Sequence, residues 1–259
     1  MLKIVHNAGF FSNCSIRLDH LIKYFNNNKK LPTILDCSKQ FEWYKNNINE
    51  DIVFHYFEHY NNYDDIIYIK DIETDHDFQY YDYKTINYDD LSPFIKKYFS
   101  PSNEIKFIIN CMEKKYNITN YDDIISVFYR GNDKCKETEI CSHENMLLQV
   151  EEIINKYPNK KILVQSDEEE FIIKMINKYL DKIIYFKDEI RTIKHNKGTL
   201  VDLVYRNTNY EFSKYFLAII IMMSKTNYII CNSSNCSIWI MYYRGNANNT
   251  LQFLNSNWY

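Results

Sequence analysis

With 259 residues, the chain has room for one large α/β unit or two small domains. Hydrophobic residues make up 46% and charged residues 25%, which excludes a disordered chain. Lys+Arg 31 against Asp+Glu 34 leaves a formal net charge of -3, so no nucleic-acid partner is expected. The longest apolar run, residues 216–223, falls far short of the roughly 18–20 residues that a membrane span needs. The first residues, Met-Leu-Lys-Ile-Val-His, read as a short strand. No membrane span and no signal peptide are therefore expected.

Composition adds a weighting. Lys, Asn, Ile and Tyr are heavily used while Ala, Gly, Pro and Arg are scarce, as expected from an AT-rich genome. The five arginines (Arg17, Arg130, Arg191, Arg206 and Arg244) stand against 26 lysines. An Arg kept under that bias is a candidate for work that Lys cannot do, such as gripping a phosphate with a planar fork. Gly9, Gly131, Gly198 and Gly245 are singled out on the same ground. The seven cysteines form no C-x-x-C pair, so reduced thiols and a cytoplasmic protein are expected, with neither a zinc site nor a disulfide framework.

Along the chain, residues 2–6 predict a strand that stops at Asn7-Ala8-Gly9. Leu18, Leu21, Ile22 and Phe25 then recur with helical spacing. Strands are expected at 32–36, 51–54 and 66–69, with helices at 89–99 and 103–115. The second half alternates more clearly. Strands are predicted at 124–129, 161–165, 183–186 and 227–231. Helices carry Met146 to Tyr157, Ile172 to Tyr179, residues 211–224 and residues 236–243. Four such alternations predict an α/β fold with a doubly wound parallel sheet. A boundary near residue 118 divides the chain into 1–118 and 119–259, read as two Rossmann-like halves.

Ligands of open parallel sheets bind beyond the carboxyl ends of the strands. Four clusters are predicted there: His6-Asn7-Ala8-Gly9-Phe10-Phe11, Arg130-Gly131-Asn132-Asp133, Ser166-Asp167 and Ser233-Ser234-Asn235. Each has a plain structural account beside the functional one. Ser166 with Glu169 fits a capping box. Ser233-Ser234-Asn235 fits either a helix N-cap or a phosphate cradle at a helix start. Gly9 fits a simple turn, and Arg130 a structural ion pair.

The ordered set resembles the fucosyltransferase superfamily of two-domain (GT-B) glycosyltransferases, which includes α1,2-, α1,6-, nodulation and protein O-fucosyltransferases. Their first signature is a strand running into His-x-Arg-x-Gly-Asp. Here Phe128-Tyr129-Arg130-Gly131-Asn132-Asp133 keeps the Arg and the Asp, while Phe128 stands for His and Asn132 for Gly. The second is a strand ending in Ser/Thr-Asp, matched by Ser166-Asp167. The third is a helix and strand leading to a Ser-rich turn, matched by Ser233-Ser234-Asn235-Cys236-Ser237. The three occur in family order across residues 120–245.

The resemblance implies two Rossmann-like domains facing a cleft. Residues 1–118 would hold a glycan or protein hydroxyl acceptor, and residues 119–259 a nucleotide-sugar donor. It implies an inverting, metal-independent transfer, with GDP-fucose as the leading donor. Arg130, Asp133 and His6 take catalytic roles in this expectation. Gly9, Phe10, Asn132, Ser166, Asp167, Ser233, Ser234, Asn235 and Ser237 bind the donor. For the base that activates the acceptor, His6, Asp19 and Asp133 all stay open. Two alternatives stand beside this. One is a metal-dependent GT-A transferase holding a divalent ion at Asp75 and Asp77 of Asp75-His76-Asp77. The other is a nucleotide- or glycan-binding module without turnover.

Overall fold

The computed structural model describes residues 1–67, 70–196 and 198–259. Its main sheet has six strands: β3 (Ile124–Tyr129), β4 (Lys161–Ser166), β5 (Ile183–Tyr185), β6 (Tyr228–Asn232), β7 (Thr250–Leu254) and β8 (Asn257–Trp258). They lie in the order β5-β4-β3-β6-β7-β8. All neighbours are parallel except β7 and β8. Every residue of β3 is buried, as a central strand covered on both faces requires. Chain order runs outward from β3 to β4 and β5, then returns to place β6 on the other side of β3. This reversal of winding opens a crevice above the carboxyl ends of β3 and β6.

Strand alternation sorts the core. Ile125, Val127, Ile162, Val164 and Ile230 face helices α5 (His143–Lys156) and α6 (Glu169–Tyr179). Phe128, Leu163, Ile229 and Cys231 face the other way, toward α8 (Asn209–Ser224), which follows the short α7 (Val201–Val204), and α9 (Asn235–Arg244). Residues 217–224 of α8 are all buried, as befits a helix pressed between the sheet and the N-terminal part of the chain. Helix α9 starts at Ser234, whose hydroxyl accepts from the Ser237 amide at 3.1 Å. It ends at Gly245, whose φ of 76° suits a residue without Cβ.

The first half is built differently from the expectation. Strands β1 (Leu2–His6) and β2 (Leu35–Gln40) form a two-stranded parallel sheet joined through α1 (Phe10–Asn28). That single βαβ unit is its only sheet among the described residues, so the first half is not a second doubly wound domain. Residues 51–54, expected as a strand, begin the helical turn α2 (Val53–Tyr56), where Asp51 accepts from the Val53 amide. Ile66 and Ile67 are outside any strand. The rest of that expectation, Tyr68 and Ile69, lies outside the described residues. Helices α3 (Tyr88–Phe99) and α4 (Asn103–Lys115) fall where periodicity places them.

One hydrophobic cluster runs from Ile4 to Ala247, across residue 118. Helix α3 packs on α1 and α9, and α4 packs on α8, so part of the first half covers the main sheet. The Trp239 indole of α9 donates to Ser15 of α1, whose hydroxyl in turn donates to Asn235.

Arg17 is the anomaly of this core. Its side chain is buried, with the guanidinium 4.9 Å from the Phe99 ring centroid and 5.7 Å from that of Phe57. Among the described residues, Nε and Nη1 have no hydrogen-bond partner. Cation–π attraction offsets about 2 kcal/mol of desolvation at best, whereas burying an unpartnered charge costs more. Arg17→Met should therefore raise the thermal midpoint, with a gain of about 1 kcal/mol or more. A lower midpoint would mean that the stacked rings outweigh desolvation.

Candidate active site

The crevice at the winding reversal is a cavity of about 450 Å³. Its wall includes Arg130, Asp133, Asp167, Ser234 and Asn235 from the sheet side, and His6, Gly9 and Phe10 from the N-terminal part.

Arg130 follows β3 directly. Its backbone is splinted to the end of β6, where the Asn232 carboxamide accepts from Arg130 N at 2.8 Å and donates to Arg130 O at 2.6 Å. The guanidinium lies between two carboxylates. Nη2 donates to Asp133 at 2.7 Å, and Nη1 donates to Asp167. The other Asp167 oxygen accepts from the Gly131 amide at 2.8 Å. Burial pushes the Asp133 carboxyl above its ordinary range, and Arg130 reverses only part of that shift.

Behind this face lies a third carboxylate. Glu168 is buried and accepts from His143 Nε2 and His195 Nδ1, each at 2.7 Å, and from the Asn132 amide at 2.8 Å. Burial raises its pKa, but hydrogen bonds from His143, the Asn132 amide and His195 outweigh that and bring it down to about 2. Glu168 thus pins the loop that presents Arg130. Asn132 has a φ of 47°, donates to Asp167 O at 2.9 Å and accepts from the Asn196 amide at 2.9 Å. Gly131 is required by close approach, because a Cβ there would lie 2.0 Å from Glu168 Oε1.

Several expected donor-binding residues stand behind the wall. Asn132 and Ser166 are buried outside the cavity lining. Ser166 accepts from the Glu168 amide at 3.0 Å and makes no capping box, since Glu168 is the N-cap of α6 and supplies no side-chain cap. Ser233 accepts from Gln252 at 2.7 Å, and Ser237 bonds Tyr83 at 2.8 Å; both are buried away from the cavity. The Ser-rich turn therefore reaches the cavity only through Ser234, Asn235 and Cys236. There the first-turn amides of α9 have no carbonyl within the helix to bond. Asn235 Oδ1 is occupied by Ser15.

On the opposite wall, His6 Nε2 lies 3.0 Å from Ser12 Oγ. Burial, then His76 and His20, lower its pKa, which favours the neutral imidazole. Gly9 caps α1 with a φ of -54° and open space at its Cβ position, so nothing there demands glycine. Phe10 borders the cavity, but its ring is buried against Phe11, Phe41, Tyr44 and Tyr56. Asp19 is removed from the cavity, where it pairs with Lys23 at 2.7 Å and accepts from Thr74. Ligand atoms of Asp75, His76 and Asp77 lie within 4.8 Å of one another, and His76 and Asp77 border the cavity.

No family model matches the chain, and no curated protein matches it in sequence. Among solved structures it is similar to POFUT1 in complex with GDP, at 14% identity over 63% of this chain and 49% of that one, with a TM-score of 0.41. It is also similar to NodZ alpha-1,6-fucosyltransferase soaked with GDP-fucose, at 11% identity over 64% and 49%, with a TM-score of 0.43. A variant of Arabidopsis thaliana FUT1 in complex with GDP is similar at 12% identity over 64% and 35%, with a TM-score of 0.40. The chain spans half or less of the length of these proteins.

Sequence reasoning missed Lys134, Gln165, Glu189, Arg191 and Asp202, all of which border the cavity. Arg191 donates to Asn209 at 2.6 Å and Asp202 at 2.7 Å, and Asp202 also accepts from Tyr44 at 2.6 Å. Its rarity flagged Arg191, but only the folded chain brings it to the same cavity as Arg130.

The approach of Glu168 to Gly131 gives a direct test. Gly131→Ala should cost about 1–3 kcal/mol, as overpacking at a rigid site does. Because the clash is with Glu168, the Gly131→Ala/Glu168→Ala pair should be less unstable than the two single losses predict. Denaturation midpoints of the four proteins measure that coupling, and strict additivity would rule the contact out.

Proposed function

We propose that the chain is a glycosyltransferase that moves a sugar from a nucleotide diphosphate donor, with GDP-fucose as the leading candidate, to a hydroxyl acceptor with inversion. The observation that carries this reading is Arg130 at the winding reversal, beside the start of α9, where Asn235 and Cys236 border the cavity. Two charges develop on a departing diphosphate as the glycosidic bond breaks. A guanidinium fork and a helix start can stabilise them together. His6, on the facing wall and favoured in its neutral form, is suited to take the acceptor proton as the hydroxyl attacks the anomeric carbon. In this reading residues 119–259 hold the donor and residues 1–118 supply the acceptor side.

Charge balance refines it. The cavity is bordered by the acids Asp77, Asp133, Glu137, Asp167, Glu189 and Asp202, against only Arg130, Lys134 and Arg191. A diphosphate therefore has to share Arg130 with, or win it from, Asp133 and Asp167. Protonating Asp133 loosens one arm of the fork, Nη2, while Nη1 stays on Asp167. The affinity for GDP should accordingly rise as the pH falls from about 8 toward the raised pKa of Asp133. Asp133→Asn should bind GDP more tightly at the alkaline end, by about 1 kcal/mol or more, and should flatten the pH profile. Calorimetric titration of both proteins across that range checks the sign, and a wild-type profile unchanged by the substitution would refute it.

Arg130 itself is tested by rate. Lys supplies charge without the two-pronged geometry. Arg130→Lys should cost about 2–4 kcal/mol of transition-state stabilisation, comparable to losing one preorganised donor. Transfer or donor hydrolysis is measured beside thermal stability for wild type, Arg130→Lys and Arg130→Ala. Turnover near wild type in the Lys variant overturns the role, and a collapsed melting temperature would make Arg130 a structural ion-pair residue.

A metal-assisted reading has one observation in its favour, the approach of the Asp75, His76 and Asp77 ligand atoms at the cavity edge. A divalent ion there would offset the acidic lining and support the diphosphate. Chelation separates the two: donor hydrolysis unaffected by EDTA fits the Arg130 mechanism, whereas loss restored by Mg²⁺ or Mn²⁺ fits the metal one.

A further inference from the structure

Buried polar atoms normally find partners, and those that do not call for an explanation. Among the described residues, the buried side-chain atoms without one belong to Arg17, Gln40, Gln165 and Tyr179. Only Gln165 borders the cavity. It sits in β4 at 5% exposure, directly across from Phe128 of β3 and two residues before Asp167. Its Oε1 accepts nothing from the protein. The neighbouring polar side chains of this wall are committed: Arg130 to Asp133 and Asp167, Glu189 to Lys115 and Tyr116, Arg191 to Asp202 and Asn209. An acceptor kept dry and unused beside such a network costs about 1–3 kcal/mol in the empty protein.

We propose that Gln165 is a recognition residue of the cavity, whose amide oxygen, turned to the cavity by rotation of the carboxamide, receives a hydrogen bond from an N–H or O–H group of the bound nucleotide sugar. This rests on the donor-binding reading above and adds to it the position of a specificity contact. Adjacent strands lie about 4.8 Å apart. A diphosphate held at Arg130 and the start of α9 therefore leaves Gln165 one strand further along the sheet, away from α9. The group reaching it is whatever the diphosphate carries on that side, either the nucleoside or the transferred sugar. Both offer the required chemistry, through a lactam N–H or ribose hydroxyl in the one case and sugar hydroxyls in the other. A neutral amide suits this position because a carboxylate would add to the acidic lining and repel the donor. A site built to hydrogen-bond a ligand group also discriminates against ligands without it, since its own polar atom then stays unpaired.

Gln165→Met tests the proposal, because it keeps an unbranched side chain of similar size and removes the acceptor. GDP and GDP-fucose are the probes, with affinity read by calorimetry and stability by thermal denaturation of the unliganded protein. The expected result is a midpoint equal to or above wild type, together with roughly 3–10-fold weaker binding, the range of one net hydrogen bond. Equal weakening of both probes assigns the contact to the nucleoside. Weakening confined to GDP-fucose assigns it to the sugar. Unchanged affinity for both probes overturns the proposal while leaving the donor-binding reading intact. A lower midpoint in the unliganded variant makes Gln165 a structural residue and overturns it as well. Wild-type protein that binds neither probe brings down the donor-binding reading, and this inference with it.

Discussion

The cavity exists because the chain reverses its winding between β3 and β6, and one side chain holds that reversal in register. The Asn232 carboxamide satisfies both the N–H and the C=O of Arg130. At the carboxyl end of a central strand, those two backbone groups are where ladder pairing stops and a buried polar group would otherwise be stranded. The splint makes the start of the Arg130 loop and the approach to α9 a single rigid edge. Arg130 and the start of α9 address the cavity from that edge.

Rigidity on one side is matched by restraint on the other. Asp167 and Glu168 are consecutive at the end of β4, yet they work in opposite directions. Asp167 turns toward Arg130 and the Gly131 amide, while Glu168 turns back to collect His143, His195 and the Asn132 amide. Two carboxylates thus hold the same loop from in front and from behind. The arrangement concentrates negative charge on the cavity wall, so under the proposed function preorganisation and attraction pull against each other in this site. Preorganised polar sites do most for catalysis when their dipoles need not move during reaction, and a loop fixed at so many points meets that condition.

What was legible in the sequence follows from the range of the interactions involved. Strands β3, β4 and β6 announce themselves as continuous apolar runs because both faces of the sheet are covered. Helix α4 was bounded correctly from its spacing. The run Asp51-Ile-Val-Phe is too short to separate strand from helix by period, and in the fold the Asp51 carboxylate accepts from the Val53 amide where a helical turn begins. Strands β7 and β8 went unseen, being short segments within a stretch rich in Asn. The same division applies to the site. Arg130, Asp133, Asp167 and Ser234 border the cavity because strand ends in a parallel sheet converge. Ser233 and Ser237 carried the same local signal but point into the protein, where Gln252 and Tyr83 occupy them. Gln165 gave a visible hint as a polar residue in an apolar strand, whereas the pairing of Arg191 with Asp202 across a long loop gave none.

Among the described residues the N-terminal part brings two strands, and it borrows the rest of its core. Its α4 lies on α8, its α3 on α9, and Ser15 links α1 to both Trp239 and Asn235. Enzymes that clamp a substrate between two self-contained lobes can swing one against the other, because few contacts cross the hinge. Here the walls of the cavity share one hydrophobic interior, and opening them as rigid bodies would expose apolar surface that neither part could cover alone. The geometry of the pocket is therefore a property of the folded chain as a whole, so that melting and loss of the site belong to one cooperative event.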